Sequence, residues 1–183
     1  LVHPDLVVPR VTVTPATAES GDTVRVRWTT RNGGTGAAPG GWTERVYLSG
    51  DLSLSEADAL LGERVQAPGL AVGAEVNSEL QVRLPDGISG AYYVLVVVDA
   101  DGVVAEHGAG ETNNVGASAA LPVTLAKYAD LTVSGIQVLA VGAPAPTYVD
   151  PLDPAVSSWR LIGDQVDMTL AWTVKNQGTG PGR

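Results

Sequence analysis

Short segments in which apolar and polar residues alternate recur along the chain, and they constrain its fold more than any other feature. Clear examples are residues 24–28 (VRVRW), 44–48 (ERVYL) and 80–84 (LQVRL). Because successive side chains of a strand point to opposite faces, such segments are typical of half-buried β-strands. The 22 Gly and 12 Pro residues supply roughly one helix breaker every five or six residues, which excludes long helices. The sequence therefore predicts an all-β protein.

Seven strands are predicted from these segments and from the turn residues between them. They lie near residues 5–14, 22–31, 43–49, 60–67, 75–84, 90–99 and 115–125. Residues 92–98 are apolar on both faces, which predicts a central strand or one whose outer face is covered. Seven short strands in about 126 residues are the number that an immunoglobulin-like antiparallel β-sandwich needs. We therefore expect a complete domain over residues 1–126.

The beginning of that domain recurs later in the chain. The motif Trp-Thr-x-x-Asn-x-Gly-x-Gly occupies residues 28–36 and again residues 172–180. An Asp-Leu pair precedes both copies, at residues 5–6 and 130–131. We expect residues 127–183 to be the N-terminal part of a second repeat, with a Pro-rich insertion near residues 141–160. The strands that would follow are absent from this stretch, so either the chain is truncated there or another molecule supplies them.

These residues resemble the CARDB family, the cell-adhesion-related domain found in bacteria. The resemblance rests on the motif above, on Trp-Thr-Glu-Arg-Val-Tyr-Leu at residues 42–48, on Leu-Pro-Asp-Gly at 84–87 and on Glu-Thr-Asn-Asn at 111–114. It implies an immunoglobulin-like tandem repeat on secreted or surface-anchored prokaryotic proteins, with no shared catalytic residues. We therefore expect a non-catalytic extracellular module that acts in adhesion, in protein–protein contact or as a rigid spacer. Its expected partners are proteins or glycans at the cell surface and further repeats of the same chain.

The composition excludes several other functions. Eleven Lys and Arg residues against twenty Asp and Glu give a net charge of −9, which would repel nucleic acid. The longest apolar run, residues 92–98, is far too short to span a membrane. The chain has no cysteine and only two histidines, His3 and His107, so it lacks the residues for most nucleophilic or metal-dependent catalysis. We expect no enzyme activity.

Acidic loop residues make calcium the candidate cofactor. Calcium prefers carboxylate and amide oxygens on a tight turn, and residues 99–114 offer both. The candidate ligands are Asp99, Asp101, Glu106, Glu111, Asn113 and Asn114. The alternative is that residues 99–102 form an ordinary hairpin turn and that the asparagines bond to loop backbone groups. Calcium binding would make the chain a calcium-rigidified structural linker.

Aromatic residues outside the strand pattern are candidates for an interaction surface. Trp42 follows two glycines at the edge of a loop, and Trp159 ends the Pro-rich insertion, so both are expected to be more exposed than Trp28 and Trp172. Tyr92 lies on the second face of its strand. Exposed tryptophans would suit a carbohydrate-binding accessory domain of a larger secreted hydrolase, whereas clamping a loop onto the sandwich is the alternative role.

Overall fold

Two facing β-sheets account for the first 126 residues of the computed structural model, which describes residues 2–140 and 168–180. Nine strands build these sheets. They are β1 (Leu6–Thr14), β2 (Ala18–Glu19), β3 (Thr23–Asn32), β4 (Trp42–Ser49), β5 (Ala59–Gln66), β6 (Glu75–Arg83), β7 (Gly90–Val97), β8 (Val115–Ala117) and β9 (Leu121–Thr124). A single 3₁₀ turn over Gly108–Thr112 is the helical element among the described residues.

The strand order is that of an immunoglobulin-like sandwich. The small sheet has the order β1-β3-β6, and the large sheet has the order β2-β9-β7-β4-β5, with β8 also paired to β7. All pairs are antiparallel except β2 with β9. The first strand is thus divided between the two sheets, with β1 in one and β2 in the other. The predicted all-β, immunoglobulin-like fold is confirmed.

The seventh predicted strand, 115–125, is wrong in one respect, because it is broken into β8 and β9. Ser118 lies at the break, where its Oγ accepts a hydrogen bond from the Val94 amide at 3.0 Å and donates one to the Ala119 carbonyl at 2.7 Å. These side-chain bonds take the place of ladder bonds and let the chain change its path along β7.

The core lies between the inner faces of the two sheets, where the alternating apolar residues meet. Val24, Val26 and Trp28 of β3 point inward, and their neighbours Arg25 and Arg27 are exposed. The large sheet adds buried valines from the centre of β7, the strand with the longest apolar run. Burial of this apolar surface is the main driving force for the fold.

A β-bulge adjusts the phase of β1. The pairing with β3 shifts between Val7 and Arg10, so that an extra residue is accommodated. As a result Val8 and Val11 both face the core although they are three residues apart. The same shift directs Arg10 to the outer face of the small sheet.

The chain divides into two compact units, Leu1–Ala126 and Lys127–Arg183. The described strands of the second unit are β10 (Leu131–Ala140) and β11 (Met168–Asn176), which pair antiparallel and also contain a register shift. Among the side chains of this hairpin that the structure describes, six large apolar ones are each more than half exposed. They are Leu131, Val133, Ile136, Leu170, Trp172 and Val174. The predicted Pro-rich insertion near 141–160 lies outside the described residues.

Candidate functional site

The turn that follows β7 is held by Asp99. Its Oδ1 accepts a hydrogen bond from the Val103 amide at 3.0 Å, and its Oδ2 accepts one from the Val104 amide at 2.9 Å. Asp99 is buried and has a φ of 49°, in the left-handed region that Asp tolerates better than most residues. Both carboxylate oxygens thus stabilise the backbone of the turn, as the hairpin-turn alternative expects.

Asp101 of the same turn is engaged with the large sheet. Its Oδ1 lies 2.6 Å from Nη2 of Arg45, and Nε of Arg45 lies 3.1 Å from Glu63 Oε2. A hydrogen bond from Thr43 and the charge of Arg45 lower the pKa of Asp101 below its ordinary value. Asp101 therefore takes part in an exposed ion-pair network on the outer face of the large sheet.

Glu106 is a buried carboxylate that connects the beginning of β1 to the loop before β8. Its Oε1 accepts a hydrogen bond from the Leu6 amide, and its Oε2 accepts one from Asn114 Nδ2 at 2.9 Å. Burial raises the pKa of Glu106, and the negative charges of Asp5 and Asp99 act in the same direction, against the two hydrogen bonds. The buried Asn114 Oδ1 has no hydrogen-bond partner among the described residues.

The N-terminal segment meets the same loop through two further contacts. Asn113 donates a hydrogen bond from Nδ2 to Asp5 Oδ1 at 2.9 Å. The rings of His3 and His107 stack with their centroids 4.9 Å apart and their planes 21° from parallel. Asp5 and His3 were not among the predicted site residues, because they are about 100 positions away from the loop and no local pattern indicates the contact.

The six candidate calcium ligands do not form one cage in the structure. Asp99, Asp101 and Glu106 use their oxygens in the hydrogen bonds and ion pairs above, and Glu111 is exposed on the 3₁₀ turn. Within residues 2–140 and 168–180, no group of three or more His, Asp or Glu side chains is arranged to hold a metal ion. Calcium binding by this loop stays a prediction.

The aromatic candidates lie elsewhere than expected. Trp42 is completely buried between the sheets, so the expectation that it is exposed at the edge of a loop is wrong. Tyr92 is half-buried and packs against the core, since β7 turns Tyr92 and Val94 inward and Tyr93 outward. Trp42 is therefore not available for stacking on a sugar ring, and Tyr92 is only partly exposed. Trp159 lies outside the described residues.

The repeated Asn-x-Gly-x-Gly motif joins the N-terminal segment to the sandwich. The buried Asn32 side chain makes four hydrogen bonds, in which Oδ1 accepts from the Asp5 and Gly34 amides and Nδ2 donates to the Gly36 and Leu70 carbonyls. Gly34 passes so close to the His3 carbonyl that a Cβ would clash. Asn176 makes the corresponding bonds to Asp130, Gly178 and Gly180 in the second unit.

The sequence pattern also did not predict the buried carboxylate of Glu44. Glu44 of β4 is fully buried, and its Oε1 accepts a hydrogen bond from Thr30 Oγ1 of the small sheet at 2.6 Å. Its Oε2 lies 3.8 Å from Arg64 Nε, at the limit of an ion pair. Glu44 thus connects the two sheets through a polar contact inside the sandwich.

The order of these elements agrees with one family. The CARDB family model matches residues 3–118, which include the Asn32 motif, β4, the Asp99 turn and the Glu106–Asn114 loop. The chain belongs to the CARDB family. CARDB is a cell-adhesion-related domain of bacteria, and the family is non-catalytic.

Solved structures that are similar to this chain include CARDB domains. A CARDB domain from Pyrococcus furiosus in complex with di-metal ions is 22% identical and covers 68% of this chain and 96% of its own, with a TM-score of 0.49. Its solution structure gives a TM-score of 0.48 at 22% identity and covers 69% of this chain and 100% of its own. A β-glucosidase from Listeria innocua in complex with glucose is 16% identical over 67% of this chain and 16% of its own, with a TM-score of 0.39. No curated protein matches the CARDB chain.

In residues 2–140 and 168–180 of the CARDB chain, no helix is long and apolar enough to cross a membrane.

Proposed function

We propose that this chain is a non-catalytic extracellular module of a secreted or surface-attached prokaryotic protein, which holds adhesive elements at a distance from the cell. The observation that carries the proposal is the path of the chain through the first unit, because the chain enters and leaves at opposite ends of the sandwich. A domain with this path lengthens a protein each time it is repeated.

The entrance lies at the end of the sandwich where Asn32 ends β3. There the Gly33 amide donates a hydrogen bond to the Asp5 carbonyl at 2.7 Å, and Leu6 pairs with Asn32. From this end β1 runs nine residues, or about 30 Å at the rise of an extended strand, to the opposite end.

The exit lies at that opposite end. After β9, the Ala126 amide donates a hydrogen bond to Ser20 Oγ at 3.0 Å, and the adjacent Gly21 amide donates one to the Pro85 carbonyl at 3.1 Å. Thr14 and Arg25 end the pairing of β1 with β3 on this side. The first unit therefore carries the chain about one strand length forward.

The second unit supports a tandem arrangement. Asn176 repeats the bonds of Asn32, and the side chains that face the core in the first unit correspond to exposed ones in the second. Trp28, for example, is 2% exposed, whereas its counterpart Trp172 is 57% exposed. We propose that this hairpin begins a second CARDB module, whose apolar face is closed by a second sheet.

The test uses the protein in its host. Antibodies against residues 1–126 should label intact cells, and labelling only after permeabilisation would contradict an extracellular location. Cells in which an unrelated immunoglobulin-like module of equal length replaces residues 1–126 should keep their adhesion if the module acts as a spacer. Loss of adhesion after this exchange, with surface display unchanged, would show that the module itself makes the adhesive contact.

A further inference from the structure

Five arginines lie on the outer face of the small sheet. We call this surface the basic face, and its arginines are Arg10, Arg25, Arg27, Arg31 and Arg83. All five are exposed, because they alternate with residues that point into the core. The whole chain has eleven Lys and Arg residues, so nearly half of its positive charge is on one face of a three-stranded sheet.

The basic face differs in sign from the rest of the protein. Glu75 and Glu79 are the acidic residues on the outward positions of the same strands, and Asp86 forms an ion pair with Arg83 at 2.8 Å, so five positive charges against three negative leave two positive. The whole chain has a net charge of −9, and everything outside this set therefore carries −11. A surface of opposite sign on an acidic protein attracts and orients an anionic ligand.

Part of the positive charge is not neutralised by neighbouring residues. Glu79 lies between two arginines, with Oε1 3.3 Å from Arg25 Nε and Oε2 2.5 Å from Arg27 Nε. The hydrogen bond from Arg27 lowers the pKa of Glu79, so this residue is ionised at neutral pH. Arg10 and Arg31 make no ion pair within residues 2–140 and 168–180.

Two adjoining grooves run over the basic face, with volumes of about 380 and 310 Å³, and Arg27 lines both. The outward side chains beside the arginines are neutral and polar, and they follow the register of the sheet. Thr12, Thr29 and Asn77 line the larger groove, and Thr14, Thr23 and Gln81 line the smaller one. Each of these groups can donate and accept hydrogen bonds, as a ligand rich in hydroxyl groups requires.

We propose that the basic face binds an anionic polysaccharide, a hydroxyl-rich chain that carries carboxylate groups. Guanidinium groups bind carboxylates through paired hydrogen bonds, and the threonine, asparagine and glutamine side chains between them suit the sugar hydroxyls. This inference goes beyond the spacer role proposed above, because it gives the module a ligand of its own.

The same features disfavour the other polymeric anions. Peptides are usually recognised by an open strand edge or by apolar pockets, but the grooves cross β3, which is paired on both sides, and their outward lining is polar. Nucleic acid has a much higher charge density, and the net negative charge of the rest of the chain would repel it. A polysaccharide with spaced carboxylates meets the local positive charge with less repulsion elsewhere.

The extent of the two grooves sets the length of the ligand. Thr23 of the smaller groove and Thr29 of the larger groove are six residues apart on β3, which corresponds to about 20 Å along an extended strand. A monosaccharide can therefore contact one groove only, whereas a chain of several sugars can contact both. Affinity should rise with chain length until the ligand spans the face and then level off.

The proposal is tested with the purified 183-residue chain, by calorimetric titration with polygalacturonate, its short oligomers and neutral dextran. We expect saturable binding of polygalacturonate that weakens with salt, and no binding of dextran. Arg10→Ala should weaken binding about tenfold, the loss expected for one charge-assisted contact. Glu79→Gln should strengthen binding, because it releases Arg25 and Arg27 from their shared partner.

The matched control is Arg45→Ala, which removes an arginine of similar surface character from the other sheet. Equal losses for Arg10→Ala and Arg45→Ala would show general charge attraction and overturn the proposed site. Tighter binding of polyglutamate than of polygalacturonate would overturn the choice of a polysaccharide in favour of an acidic peptide. Absence of any binding would refute the proposal that the basic face binds a polysaccharide. The cell-labelling and module-exchange results would be unaffected, so the two proposals fail separately.

Discussion

Replacement of Asn32 by alanine should destabilise the first unit more than any change of a single exposed polar residue. The side chain is completely buried, and it bonds to four backbone groups. These are the amides of Asp5 and Gly34, at 3.2 and 3.1 Å, and the carbonyls of Gly36 and Leu70, at 2.8 and 3.0 Å. At about 1 kcal/mol for each hydrogen bond, Asn32→Ala should lower the free energy of unfolding by about 4 kcal/mol.

Urea unfolding followed by far-UV circular dichroism measures this loss. For an m-value of about 2 kcal/mol per molar urea, a loss of about 4 kcal/mol lowers the midpoint by about 2 M. That is a large part of the 5–15 kcal/mol by which domains are usually stable. Asn32→Asp should be similarly destabilising at neutral pH, because it places a charged oxygen against two carbonyl groups in a buried site.

Asn176 provides the matched control. It makes three of the corresponding bonds, to the Asp130 and Gly178 amides and the Gly180 carbonyl, but it is exposed to solvent. Water can replace those bonds, so Asn176→Ala should cost less than about 1 kcal/mol. If the two variants lost equal stability, or if Asn32→Ala lost less than about 1 kcal/mol, the assignment of Asn32 as the main polar contact of the first unit would be refuted.

Three further predictions concern acidity, calcium and the second unit. Because the pKa of Glu106 is raised in the folded state, its contribution to stability is complete below pH 4.5 and is lost as the pH rises through the raised pKa. Glu106→Gln should therefore flatten the curve of melting temperature against pH above pH 4.5. An unchanged slope would contradict the assignment. Calcium binding at residues 99–114 predicts that the melting temperature rises when calcium is restored after chelation. At a hundredfold excess of calcium over the dissociation constant, the free energy of unfolding should rise by about 2.7 kcal/mol. An unchanged melting temperature would reject calcium binding. The exposed hairpin predicts that an apolar fluorescent dye binds residues 1–183 but not residues 1–126, and equal fluorescence would contradict an open apolar face.

The strands could be predicted because the alternation of apolar and polar residues in each strand follows which side chains are buried. In β3 the apolar positions 24, 26 and 28 face the core and the arginines face solvent, so the pattern gives both the strand and its orientation. The bulge of β1 could not be predicted, since its extra residue is accommodated by pairing with β3 and leaves no local signal.

The burial of Trp42 could have been predicted from the sequence, although the interpretation of its neighbouring glycines missed it. Trp42, Glu44, Val46 and Leu48 occupy alternate positions of one strand, and all four are buried. Extending the alternation of residues 44–48 by two positions would have predicted a buried Trp42. The two glycines before Trp42 indicate a loop, and in the structure this loop ends at Gly41, immediately before the strand begins. Glu44 breaks the apolar pattern, because Thr30 and Arg64 of other strands stabilise it in the core.

The contacts around Glu106 were beyond local prediction for a different reason. Leu6 and Glu106 are 100 residues apart, and their hydrogen bond exists only because β1 and the loop before β8 meet at the same end of the sandwich. Acidic and amide side chains close together in sequence resemble calcium ligands whether or not they bond to distant backbone groups. The six candidates do not form one cage in the structure, and the roles of Asp101 and Glu106 depend on Arg45 and Leu6, partners that the local sequence does not contain.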